Sequence, residues 1–462
     1  MDTKHKVTVL CLLIAPLLAG GCAAAEERPT STPTQESALV EGTAASGEAQ
    51  EQGGEVVAVE SCPPMDAETR AEMDSIESQV ITLRGLQSTA PVARILLTQD
   101  QLRQRVVDEF LADYSEAEAN DDVLVLSLFG LLPEDFDLWN FYADLLTEQI
   151  AGFYDDTTKE MAVICGSGFG AMERITYAHE FDHALQDQNY DLEEGLGYDD
   201  ELCDVDSERC AGIQALVEGD ATLLQEQWMG TYATQEDLLE AMEYINNLDT
   251  PVYDSAPRFL RQDFLFPYQA GESFVQTIFR NGGGSWAAVD AVYQDPPSST
   301  EQILHPERYP NDDPVKLIVP EALGVLDSGW RLVDEDTLGE WYTQLVLNEY
   351  IPKAEAVSAA AGWGGDVYRV YHNDSSGEDV LLLVAQWDTI KDVQEFSTTF
   401  VTYAEARFGE RSSTSTYIST WETSDLYVYF ERNSNQVLWI IAPDSDTADL
   451  VREAVSLPTA QE

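Results

Sequence analysis

The sequence predicts an α+β protein with two folded parts. Apolar residues at helical spacing recur through residues 61–350, with one strand–turn–strand pattern among them, which predicts a mainly helical domain with a small edge sheet. After residue 351, short runs rich in Val, Leu, Ile and aromatic residues alternate with two helical patterns. Residues 351–462 are therefore predicted to form a small two-layer α+β C-terminal domain.

The periodicity of the apolar residues delimits the individual elements. Helices are predicted, in chain order, over 66–83, 99–114, 135–146, 171–188, 210–228, 236–245, 272–279, 337–348, 390–408 and 447–455. Strands are predicted over 161–165, 366–371, 380–386, 416–420, 426–431 and 436–442.

The N-terminus has the pattern of a lipoprotein-type signal peptide over residues 1–22. Lys4 and Lys6 precede an apolar core, and Leu18-Ala-Gly-Gly-Cys22 resembles a lipobox, which predicts a membrane anchor through lipid on Cys22. Leu18 lies one place further from Cys22 than is usual, so plain secretion is the alternative. Residues 23–60 are small and polar, as in a disordered linker. We therefore expect an exported protein, at the cell surface or in the periplasm.

The charge balance is strongly acidic. The chain has 24 Lys and Arg against 85 Asp and Glu, a net charge of −61 at pH 7. Such a charge repels nucleic acid and anionic lipid headgroups, so neither is expected as a ligand.

The most informative motif is H-E-F-D-H, in which His179 and His183 flank Glu180. The chain has only five histidines, so a chance H-E-x-x-H match is expected only about 0.005 times. On a helix, positions i and i+4 share one face, where two imidazoles can bind the same Zn²⁺ and Glu180 can act as general base. A catalytic site needs a third protein ligand, for which Glu218 is the best candidate, although spacing alone leaves it open. The alternative is a partly exposed helix that merely carries two histidines.

The residues around this motif resemble a known family. H-E-F-D-H-A-L-Q-D-Q followed by A-L-V-E-G-D-A is similar to the gluzincins, the thermolysin-like zinc peptidases, and most of all to secreted bacterial members with a downstream E-G-x-A helix. The resemblance implies a zincin-like metallopeptidase fold over 61–350. It further implies Zn²⁺ bound by His179, His183 and Glu218, with Glu180 as general base.

The chain departs from thermolysin in the residue that supports a zinc ligand. Thermolysin has an Asp four residues after its ligand Glu, whereas this chain has Thr222 there and Asp220 two residues after Glu218. Asp182, inside the motif, is a rival supporting partner, so this assignment stays open.

Two further features of a peptidase site have candidates in the sequence. Residues 161–165 are the candidate edge strand to which an extended substrate could add, with an ordinary core hairpin as the alternative. His305 and Tyr268 fit by residue type as donors to the developing oxyanion. His305 is ranked first because His is scarce, although a structural role between Leu304 and Pro306 is an equal alternative.

Four cysteines remain outside the signal peptide, and an exported compartment permits disulfides. Cys203 and Cys210 bracket an acidic loop, which favours their pairing. Cys62 and Cys165 would then form the second pair, although four cysteines allow three connectivities.

These observations predict an exported zinc metallopeptidase that hydrolyses peptide bonds of a polypeptide substrate. A non-catalytic zinc-binding envelope lipoprotein with a degenerate protease fold is the alternative. A zinc hydrolase that acts on a small amide or on cell-wall peptide is a further enzyme alternative.

Overall fold

The computed structural model describes residues 62–111, 114–150, 152–165 and 168–455. The predicted signal peptide, the linker and the lipid site at Cys22 lie outside these ranges. Within them, no helix is both long and apolar enough to cross a bilayer.

The first part of the described chain is mainly helical. Its helices are α1 (Ala67–Arg84), α2 (Gln99–Arg105, continued by a π-helical turn over Val106–Phe110), α3 (Glu116–Phe129), α4 (Leu138–Gln149), α5 (Ala171–Tyr190), α6 (Asp200–Val205), α7 (Ser207–Tyr232), α8 (Gln235–Asn247), α9 (Pro251–Ser255), α10 (Arg258–Asn281), α11 (Trp286–Val292) and α12 (Thr300–Leu304).

A small sheet accompanies these helices, with the strand order β1-β3-β2. Its strands are β1 (Ala93–Leu97), β2 (Gly152–Asp155) and β3 (Glu160–Ile164). β3 pairs in parallel with β1 and antiparallel with β2. The prediction that residues 161–165 form an edge strand is therefore wrong, because β1, a strand that was not predicted, covers the outer side of β3.

The C-terminal part contains a seven-stranded antiparallel sheet with the order β4-β5-β6-β10-β9-β8-β7. Its strands are β4 (Trp330–Asp336), β5 (Trp363–Asn373), β6 (Glu378–Trp387), β7 (Ser413–Thr414), β8 (Ile418–Glu422), β9 (Tyr427–Asn433) and β10 (Gln436–Ala442). The helices of this part are α13 (Gly339–Asn348), α14 (Lys353–Ala360), α15 (Ile390–Phe408) and α16 (Ser445–Val455). The predicted α+β class, with helices first and a sheet with helices last, is confirmed.

The sheet and the helical part share one apolar core. The Phe129 ring at the end of α3 packs edge-on against Tyr368 and Trp439, with ring centroids 5.2 and 5.8 Å apart. Arg407 on α15 donates hydrogen bonds to the carbonyl groups of Ser127 and Leu128. β4, which lies before the predicted boundary at 351, also belongs to the C-terminal sheet.

Candidate metal centre

The motif H-E-F-D-H lies in the middle of α5, which is one of the most buried helices of the protein. The helix begins after Gly170, whose N–H donates to the Glu173 carboxylate at 2.9 Å. It ends at Tyr190 and is followed by Asp191, which has the left-handed φ of 55°. Side-chain packing surrounds its middle turns, so His179 and His183 are only 4% and 0% exposed. The packing around the helix thus leaves both imidazoles almost fully buried.

The third candidate ligand is delivered by α7. Glu218 is 1% exposed, and its Oε2 lies 3.4 Å from His179 Nε2 and 3.5 Å from His183 Nε2. The potential ligand atoms of the three residues all lie within 4.8 Å of one another. Two donors bound to one tetrahedral Zn²⁺ at about 2.0–2.1 Å lie about 3.3–3.4 Å apart. The donor types and their separations therefore suit a metal ion.

The charges of these side chains are strongly coupled. Burial alone would raise the pKa of the Glu218 carboxyl, but His183 and His179 together lower it to about 2. Burial lowers the pKa of His179. Burial also disfavours the charged form of His183, yet the Glu218 carboxylate raises its pKa to about 9. The two histidines thus favour the anionic form of Glu218, and Glu218 in turn favours the protonated form of His183.

The partner of His183 is a residue that was not among the predicted site residues. Gln186, one turn later on α5, places Oε1 2.9 Å from His183 Nδ1. Asp182 instead accepts a 3.4 Å hydrogen bond from Gln186 Nε2. The sequence signal for this contact was the spacing of the two residues. Gln186 lies three residues after His183, and residues i and i+3 are neighbours on a helix.

Asp220, the other candidate supporting residue, belongs to a buried network behind Glu218. Arg84, at the end of α1, is 0% exposed. Its Nε and Nη2 bind the two oxygens of Asp220 at 2.8 Å each. Nη1 binds Asp290 at 2.6 Å, and the guanidinium lies 4.5 Å from the centroid of the Trp286 ring. Asp220 thus anchors α7 to α1.

Glu180 lies between the two histidines in the chain and is 1% exposed. Its Oε2 accepts a 2.9 Å hydrogen bond from the backbone N–H of Tyr154 on β2. The strand thereby holds the carboxylate that the motif assigns to proton transfer.

Of the two candidate oxyanion donors, the structure brings Tyr268 to the site. Tyr268 lies on α10, is 3% exposed, and has its ring centroid 6.5 Å from that of His179. His305 is held elsewhere, because its Nε2 lies 3.0 Å from Glu340 Oε1 on α13. The helix before His305, α12, contacts α7 through a hydrogen bond from Thr300 to Glu208. Glu208 precedes Glu218 by ten residues, which is about 15 Å along α7. His305 therefore belongs to a contact between α12 and α13. This position corresponds to the structural role that was the alternative to its role as an oxyanion donor.

A close helix contact positions Tyr268. A Cβ on Gly271 of α10 would lie 2.0 Å from the carbonyl oxygen of Ala215, and a Cβ on Gly219 of α7 would lie 2.2 Å from the Gly271 carbonyl carbon. Only glycine fits at both places, so α10 can lie directly on the backbone of α7 beside the Glu218 turn.

Replacing Gly271 by alanine should lower the free energy of unfolding by about 1–3 kcal/mol or more, because the added methyl group forces the two backbones apart. Thermal or urea unfolding measures the change. Gly230→Ala is the matched control, since a Cβ there meets nothing within 4 Å near the end of α7. Helix propensity should make that variant neutral or more stable. Equal stability of Gly271→Ala and wild type would contradict the close contact.

Both predicted disulfides are present. Cys203 pairs with Cys210, and Cys62 pairs with Cys165. The first joins α6 to α7, while the second ties the chain before α1 to the end of β3.

Comparisons with known proteins bear only on the C-terminal part. A family model described as a domain of unknown function (DUF8575) matches residues 330–452. The match begins at the first residue of β4, in agreement with the place of that strand in the sheet. No curated protein and no solved structure matches the chain. The resemblance to gluzincins therefore stays a prediction.

Proposed function

We propose that the protein is an exported zinc metallopeptidase of the gluzincin type, anchored to the membrane by lipid on Cys22. The observation that carries the proposal is the buried group of His179, His183 and Glu218, with Glu180 on the same helix turn. Two imidazoles and one carboxylate are a known ligand set of catalytic zinc sites, which keep a fourth position open. When bound there, Zn²⁺ supplies Lewis acidity, which polarises a peptide carbonyl and lowers the pKa of water.

Glu180 is the proton-transfer residue of the proposed reaction. It takes a proton from the attacking water and later passes it to the leaving amine. The hydrogen bond from Tyr154 N–H to Oε2 restrains the Glu180 carboxylate. A carboxylate that is already held in place needs less reorientation before it accepts a proton.

Tyr268 is the proposed donor to the oxyanion that develops on the substrate carbonyl. A phenol hydroxyl can donate one hydrogen bond, and its ring neighbours that of His179. A polypeptide is the proposed substrate, and the disulfides are compatible with the exported location.

Replacing Glu180 by glutamine tests the function. The amide keeps the size of the side chain and an acceptor for Tyr154 N–H, but it cannot take a proton. We expect zinc content to stay near wild type while casein or peptide cleavage falls by about 10²–10⁴-fold. Glu243→Gln, on an exposed position of α8, is the matched control and should leave cleavage unchanged.

The same measurements separate the enzyme from its alternatives. If wild type binds zinc and cleaves no protein, peptide, cell-wall peptide or small amide, the enzyme hypothesis fails. A zinc-binding envelope lipoprotein would then remain. Cleavage of a small amide or of cell-wall peptide alone would identify the other hydrolase class.

A further inference from the structure

Gln186 connects the two helices that carry the candidate metal ligands. It is 0% exposed, and its Oε1 lies 2.9 Å from His183 Nδ1. Its Nε2 donates a 3.0 Å hydrogen bond to the carbonyl oxygen of Val217 on α7. Because Val217 directly precedes Glu218, one side chain links His183 on α5 to the backbone of the third ligand.

The hydrogen-bond chemistry of this contact determines the orientation of the amide. A main-chain carbonyl can only accept, so the NH₂ group of Gln186 must face Val217 and the amide oxygen must face His183. An amide oxygen can only accept as well, so Nδ1 of His183 carries the hydrogen. In neutral His183 the free lone pair is then on Nε2, the atom that lies 3.5 Å from Glu218 Oε2.

Asp220 is bound by Arg84 and Tyr293. The neutral amide of Gln186 supports His183 and adds no negative charge that would weaken the Lewis acidity of a bound metal.

We propose that Gln186 is a positioning residue of the metal centre, which sets the tautomer of His183 and holds the Glu218 backbone in register with it. This inference rests on the proposed zinc site. Supporting residues of this kind change metal affinity by about 10–100-fold when they are removed.

The test is the zinc dissociation constant of the full chain, measured by competition with a chelator. Gln186→Met keeps the length of the side chain and removes its hydrogen bonds to His183 and Val217, so we expect about 10–100-fold weaker binding. Gln186→Glu keeps an acceptor for His183 Nδ1 and should retain more of the affinity than methionine does. The Co²⁺-substituted proteins should show a changed d–d absorption spectrum for Gln186→Met.

Gln302→Met is the matched control. Gln302 is 1% exposed, donates a 2.8 Å hydrogen bond to the Asp312 carbonyl and accepts one from Ser298 N–H at 3.0 Å. It makes these bonds on α12, away from the metal group. Its replacement should lower thermal stability and leave the zinc affinity and the Co²⁺ spectrum unchanged.

The outcomes distinguish this inference from the proposed function. Wild type that binds no zinc would overturn the metal centre itself. Wild-type affinity in Gln186→Met would overturn only the role of Gln186. Equal losses in Gln186→Met and Gln302→Met would show general destabilisation and would also overturn it. If Gln186→Met does not fold, Gln186→Glu is the deciding variant. Zinc binding by Gln186→Glu that is as weak as binding by a variant without a metal ligand would contradict the role of Gln186 in orienting His183.

Discussion

Replacing Glu218 by alanine should abolish tight zinc binding while the rest of the helix packing survives. The carboxylate is the only anionic member of the group His179, His183 and Glu218, and without it only the two imidazoles of this group would be left to bind a metal ion. Because loss of a mere supporting side chain costs about 10–100-fold in affinity, loss of this ligand should cost more than about 100-fold. Competition with a chelator measures the dissociation constant.

Thermal unfolding gives a second measure of the same change. Zinc at about 100 times its dissociation constant should stabilise wild type by about 2.7 kcal/mol, an increment that Glu218→Ala should lose. Glu226→Ala, on the same helix, is the control and should keep the increment. Tight zinc binding and full cleavage by Glu218→Ala would show that another residue is the third ligand.

Replacing Arg84 by methionine should destabilise the fold by about 3–5 kcal/mol, the largest stability effect that we expect. The substitution keeps the apolar length of the side chain but leaves Asp220 buried, at 0% exposure, without its cation. Tyr293 O–H, 2.8 Å from Asp220 Oδ2, would be the remaining hydrogen-bond donor to it. Urea unfolding at neutral pH measures the loss.

Arg103→Met is the control for this prediction. Arg103 pairs with Asp144 at 2.8 Å, but both side chains are 50% exposed, and exposed ion pairs contribute only about 0–1 kcal/mol. A loss for Arg84→Met as small as that for Arg103→Met would mean that the network behind Glu218 does not hold α1 to α7.

Elements with a strong local pattern could be predicted from the sequence. The predicted helix over 390–408 and the strand over 436–442 coincide with α15 and β10. In both, apolar periodicity and the flanking polar residues agree with the packing that the fold requires. α5 and α7 were also predicted, each extending a few residues beyond the predicted bounds.

Other elements depend on packing that a local pattern does not contain. The predicted helix over 272–279 is only the end of α10, which begins at Arg258 and contains Pro267 in its interior. Proline normally ends a helix, but here the buried contact with α7 outweighs that preference. β1 is short and half-buried, so its residues show no clear alternation of buried and exposed positions. Because β1 was not predicted, β3 was predicted to lie at an edge of the sheet.

The sequence by itself predicted that His179 and His183 share one face of a helix, with Glu180 between them in the chain, because residues four apart lie on one face. Only the tertiary structure decided which distant residues join them. Glu218 reaches both histidines, Tyr268 lies beside His179, and His305 does not. The physical reason is that these contacts depend on how closely α7 and α10 approach α5. This approach involves the contact of Gly219 with Gly271 and the hydrogen bonds of Gln186 to His183 and Val217. The spacing of apolar residues in the sequence encodes neither of them.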